Sequence, residues 1–156
     1  MKSNSSPEID KLDKQILSIL MKDATLPYTE IAKDLSVSGG TVHVRMKKLE
    51  ELGILKGSHL FINQNKIGYD ICAFLGIFLK KGSEYNDAVS RMLEIPEIVE
   101  LHYTTGQYSM FAKIICRDTQ HLRQVLNEKI QAIKGVRRTE TFISLEESIS
   151  RQISIL

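Results

Sequence analysis

The residues best suited to chemistry stand in two short runs. The first is SGGTVHVRMKK, residues 38–48, where two glycines precede a threonine, a histidine and three cations. Gly39 and Gly40 would each cost a helix about 1 kcal/mol against alanine. Their use at the front of a cationic helix suggests a surface that something must approach closely. N–H groups at a helix start favour phosphate, and a helix entering the major groove reads base edges with its N-terminal residues. The second run is YTTGQYS, residues 103–109, a dense set of donors and acceptors around one glycine. Such a mixture suits a small zwitterion, which needs N–H donors for its carboxylate and oxygen acceptors for its ammonium. A plain hairpin would need only Gly106, for its turn.

Three helical patterns position the first run. Ile9, Leu12, Ile16, Ile19 and Leu20 recur at helical spacing, and a break at residues 25–27 follows. A short second helix over 28–35 has Ile31, Ala32 and Leu35 on one side. Ser38 then serves as N-cap for a third helix that ends at Gly53, the residue type favoured just past a helix terminus. At 100° per residue Val42, Met46 and Leu49 form its core stripe; Gly40, Val44, Lys47 and Glu51 lie opposite, with His43 and Lys48 flanking. The expected unit is a helix-turn-helix. Its contacts come from Tyr28 and Thr29 on the backbone, and from Ser38, Gly39, Gly40, Thr41, His43, Val44, Arg45, Lys47 and Lys48 in the groove and on phosphate. Val44 is placed for a thymine methyl, and Thr41 or His43 for a hydrogen bond. Arg45 lies at the edge of the core stripe, so a structural salt bridge competes for it. The expected partner is double-stranded DNA. The alternative for this face is a merely solvated charged surface.

Residues 54–62 are apolar and mildly β-prone, broken by Gly57, and read as one strand or a small wing. Residues 63–70 read as a linker. Beyond them the elements run β-α-β-β-α-β, the ferredoxin-like order, with a sheet covered by two helices on one face. The fold class is therefore α+β, with a DNA-binding domain over 1–62, a linker over 63–70 and a second domain over 71–156. The first strand of that domain is apolar on both faces: Ile71, Ala73, Leu75, Ile77 and Leu79 on one, Cys72, Phe74 and Phe78 on the other. Burial of the second face calls for another copy of the sheet, hence a homodimer.

Composition sets the remaining limits. The 156 residues are 42% hydrophobic and 26% charged, a soluble globular mixture. No apolar run is long enough to span a bilayer, and MKSNSSPE has no apolar core of a secretory signal; the expectation is a cytoplasmic protein with no membrane partner. Net charge is +2, and an excess of two cations falls within residues 36–56 alone. Cys72 and Cys116 read as buried thiols. His43, His59, His102 and His121 have no metal-ligand spacing, and there is no phosphate loop or nucleophile motif. Glu146, Glu147, Arg137 and Arg138 read as surface charges. No metal, no cofactor and no catalysis are expected.

The segments LDKQILSILMKDATLPYTEIAKDLSVSGGTVHVRMKKLEELGIL, LGIFLK, YTTGQYSMFAKI and TETFISL together resemble the Lrp/AsnC family of bacterial and archaeal transcription regulators. The resemblance covers nearly the whole chain. It implies a winged helix-turn-helix and an effector domain of the β-α-β-β-α-β type. It also implies dimers that assemble further, often to octamers, and a small amino-acid effector bound between dimers. The family's turn reads Gly-x-Tyr-Asp; Gly106 and Tyr108 match it, and Ser109 replaces the acid. The effector site then comprises Tyr103, Thr104, Thr105, Gly106, Gln107, Tyr108 and Ser109, with Gln107 or Gln131 as amide partner and Ser144 closing the site from a neighbour. The asparagine-responsive branch of the family implies L-asparagine, with another small polar amino acid as fallback. The competing class is an oligomeric sensor or enzyme of ferredoxin-like fold whose helical part serves assembly only.

Overall fold

The computed structural model describes residues 9–155. The N-terminal segment read above for a signal, and the first residues of the DNA-binding domain with it, lie outside the described residues. The chain divides into two compact units, residues 1–61 with 149–156, and residues 62–148.

The first unit holds α1 (Lys11–Leu20), α2 (Tyr28–Asp34) and α3 (Gly39–Glu51). The starts of α1 and α3 are set locally. Asp10 caps α1 by accepting the Asp13 N–H at 2.9 Å, while Asp13 accepts the Asp10 N–H at 3.1 Å, a reciprocal pair that satisfies two orphan donors. Ser38 caps α3 by accepting the Thr41 N–H at 3.0 Å. Ile16, Leu17, Ile31, Ala32, Val42, Met46 and Leu49 form the core. Ile155 packs against it too, so the last residues belong here and not with the second unit as their sequence position suggested. Among the described residues the strand or wing expected over 54–62 is not formed. Ile54 and Leu55 dock on the core, but Leu60 and Phe61 are exposed, and no described strand pairs with them.

The 63–70 segment contains a single 3-10 turn, Asn65–Ile67, closed by Gly68 at φ 87°. The second unit follows with β1 (Ile71–Leu79), α4 (Tyr85–Met92), β2 (Ile98–Tyr103), β3 (Met110–Cys116), α5 (Thr119–Gln124) and β4 (Val136–Ile143). The last turns of α5 continue in π geometry over Val125–Ile130. The sheet is antiparallel in the order β2-β3-β1-β4. Ala73, Leu75 and Ile77 pack with Met110, Ala112 and Ile114 beneath Ala88, Met92, Leu122, Val125 and Ile130 of the helices. The other face carries rings: Phe74 stacks on Phe111 at 6.0 Å, and Tyr108 lies 5.1 Å from Phe78 and 6.5 Å from Phe142. None of these five reaches full burial.

Candidate functional site

The head of α3 is open. A Cβ on Gly39 would meet only the Thr29 methyl, at 3.8 Å, and one on Gly40 only Ser38 Oγ, also at 3.8 Å. Neither glycine has the left-handed backbone that demands its type, so internal packing requires neither. Around them the chain gathers Thr29 beside Gly39, Ser38 Oγ 2.8 Å from Thr41 Oγ1, and the Tyr28 ring 6.2 Å from that of His43. Val44 is 66% exposed, whereas Val42, two residues earlier, is fully buried. One turn along from Val44, Lys47 extends to solvent 3.9 Å from Glu51. Nine of the eleven residues expected at the DNA therefore lie on or beside the exposed front of α3.

Arg45 and Lys48 are differently placed. Asp13 has no exposed surface. Its carboxylate accepts from Lys48 Nζ at 3.0 Å and from Arg45 Nη1 at 3.2 Å, and Arg45 also pairs with Asp10. Burial pushes the Asp13 carboxyl up, but the Asp10 N–H and the two cations outweigh it and hold it below its ordinary value. Sequence reasoning missed Asp13. The signal was available: Asp13 precedes Ile16 and Leu17 by three and four residues, so it stands on the apolar stripe of α1, where a carboxylate requires partners.

The 104–109 loop joins β2 to β3 and is braced from within. Thr104 Oγ1 donates to the Tyr108 carbonyl at 2.8 Å. The Ser109 N–H donates to the Ile77 carbonyl at 2.9 Å, and Ser109 Oγ accepts the Leu79 N–H at 3.2 Å. Tyr108 lies flat over Gly76, where a Cβ would sit 2.5 Å from the ring, so only glycine admits it. Its hydroxyl donates to Glu140 Oε2 at 2.8 Å; Glu140 pairs in turn with Arg138, whose guanidinium lies 3.7 Å over the Phe78 ring. The hydrogen bond to Glu140, then burial, raises the Tyr108 hydroxyl above its ordinary value; the same hydroxyl, then Arg138, lowers the Glu140 carboxyl. Arg138, read from sequence as a surface charge, is thus part of the loop's support, and Glu140 was not foreseen at all.

That bracing leaves Thr105, Gly106 and Gln107 as the exposed tip, with Gly106 at φ 100°. Tyr103 is exposed and packs at 4.5 Å on Tyr85. Gln131 Nε2 donates to Thr139 Oγ1 at 3.1 Å, on the strand beside Ile77. Ser144 is at the opposite end of β1: its N–H donates to the Cys72 carbonyl, whereas the loop is fastened at Ile77 and Leu79. Within one chain Ser144 and the loop are not brought together. A groove of about 650 Å³ between α4 and the end of α5, lined by residues such as Asp87, Arg91 and Lys134, contains none of the expected effector residues. Among the described residues no group of His, Cys, Asp or Glu is arranged to hold a metal, and no helix is long and apolar enough to cross a membrane.

Comparison with known proteins follows this division. Residues 9–56 match the winged helix-turn-helix DNA-binding family and residues 72–153 the Lrp/AsnC ligand binding domain. Regulatory protein AsnC of Haemophilus influenzae is 45% identical over 145 residues, 93% of this chain and 97% of the relative. Its counterpart in Escherichia coli K12 is 42% identical over 93% of this chain and 95% of its own length. HTH-type transcriptional regulator FL11 of Pyrococcus furiosus is 38% identical over 88% of this chain and 90% of its own. The solved structure of E. coli AsnC superposes with a TM-score of 0.90 at 41% identity, covering 94% of this chain and 99% of that one. These relatives are regulators and not enzymes, which removes the enzymatic alternative. A helix-turn-helix with an open recognition front, followed by a ligand-binding domain, makes this chain a DNA-binding transcriptional regulator of the Lrp/AsnC family.

Proposed function

We propose that the chain is a sequence-specific regulator whose grip on DNA is set by a small amino acid, L-asparagine, bound at the 104–109 loop where two dimers meet. The observation that carries the DNA side is the unfilled space around Gly39 and Gly40 beside the exposed Val44. With no internal use for the glycines, close approach of a groove wall is their physical rationale. Tyr28, Thr29, Ser38, Thr41 and His43 surround that point, and Lys47 supplies a charge for phosphate; Arg45 and Lys48 border it. The effector side rests on the free tip at Thr105, Gly106 and Gln107, braced by Thr104, Tyr108 and Ser109, with Tyr103 and Gln131 nearby in sequence or fold. Ser144 enters from a neighbouring subunit. The half-buried rings on the open sheet face favour a homodimer built sheet to sheet, and higher assembly to an octamer would place effector between dimers. Binding there biases assembly, and assembly sets how many DNA-binding heads engage at once. The setting is the cytoplasm, with no cofactor.

The test is a gel shift with the DNA upstream of the protein's own gene, repeated with asparagine, and calorimetry with asparagine, aspartate, glutamine and leucine. A sequence-selective shift that responds to asparagine, with heat for asparagine above the others, is expected. No selectivity defeats the DNA reading, and no heat with any of the four defeats the effector reading.

A further inference from the structure

The distribution of charge along residues 36–56 gives a cationic patch, but the fold cancels most of it. Arg45 and Lys48 face Asp10 and Asp13 across the contact between α1 and α3. Two cations meet two carboxylates, and one of those carboxylates has no exposed surface. A buried carboxylate cannot release its partners without losing the bonds that satisfy it. We propose that Asp13 is a positioning residue for DNA recognition: it withholds Lys48 and Arg45 from phosphate, leaving Lys47 as the charge that α3 offers. This rests on the DNA-binding reading above and deepens it.

The consequence is a change in what binding depends on. Each cation that takes up a phosphate releases counterions and contributes roughly 0.9 to the slope of log affinity against log salt. A lysine already held 3.0 Å from a buried carboxylate makes no such exchange. Lys47 is free to make it, since its 3.9 Å pairing with Glu51 joins two side chains about 70% exposed and is screened by solvent. A recognition helix with little phosphate-directed charge of its own contributes weakly to binding random DNA. It must gain affinity from base edges, through the open front of the helix. Asp13 thereby favours specificity over general affinity, without touching DNA itself.

The experiment measures affinity of the full-length chain for a random-sequence duplex across a series of KCl concentrations. D13N keeps a side chain that can accept the cap but removes the charge that holds Lys48, while Arg45 keeps its pairing with Asp10. Its slope is expected to steepen by about 0.9, with binding at low salt tighter by up to about tenfold. K47Q should flatten the slope by about 0.9, whereas K48Q and R45Q should leave it within about 0.3 of the parent. An unchanged slope in a folded D13N, or a loss of about 0.9 in K48Q, overturns the proposal. If D13N fails to fold, the contrast between K47Q and K48Q decides alone. Failure of the wider DNA reading looks different: a parent that does not prefer any duplex over random sequence.

Discussion

The front of α3 and the 104–109 loop look alike in sequence, glycine set among polar residues in both, yet the fold treats them in opposite ways. At α3 the glycines are left over, with open space around both. In the loop the polar groups are taken up internally: Thr104, Tyr108 and Ser109 all bond within the chain. The glycine that matters most to the loop is Gly76, on a different strand, because only there can the Tyr108 ring lie down. A binding surface that must accept a rigid partner such as DNA can be built from what is missing. A surface that is to hold a small ligand needs its frame fixed first, and the proposed effector loop has that frame.

The comparison breaks most visibly at the open sheet face. Phe74→Asp puts a charge among rings, without a partner, which costs about 3 kcal/mol or more in a buried interface. Sedimentation should show the variant as a folded monomer where the parent is larger, and a folded variant of parental mass would remove the sheet-to-sheet dimer. Next comes Gly76→Val. The new side chain displaces Tyr108 from Gly76 and from Glu140, so thermal unfolding should show a loss of roughly 1–3 kcal/mol together with loss of asparagine binding. Retention of both would mean that the loop does not depend on its frame.

The contrasting substitution is Gly40→Ala. Space is available and the helix propensity gain is up to about 1 kcal/mol, so stability should hold or rise. Binding to the specific duplex should nevertheless weaken about tenfold, because the added methyl stands where the groove wall approaches. Equal affinity would make the glycine incidental. The smallest effect concerns acid. Asp13 has a lowered folded value, so its contribution is fully present above the ordinary carboxylate range near 4 and is lost as pH falls through the folded value. Acid unfolding of the isolated change D13N, followed by circular dichroism, should therefore have a shallower pH dependence below pH 4 than the parent; identical curves would mean that Asp13 is not held ionised by Lys48 and Arg45.

Local chemistry determined a great deal of this protein. The cap at Ser38, the turn at Gly106 and the two-residue alternation of β1 are all functions of near neighbours, and the helices and strands of the second unit form in the expected order. The order β-α-β-β-α-β and the exposed face of α3 followed from periodicity, and the family from the resemblance of whole segments. What required the tertiary structure was every feature that pairs distant residues. Asp13 meets Arg45 and Lys48 across about thirty positions of chain, Tyr108 reaches Glu140 across a similar span, and Ile155 returns to a core begun at Ile9. The 54–62 segment failed as a strand for the same reason: its composition suits one, but a strand exists only where another backbone supplies the hydrogen bonds. Charge is the clearest instance. A count along the chain gives residues 36–56 a cationic excess, and folding lays Asp10 and Asp13 against it, because electrostatics follows distance in space and not distance in sequence.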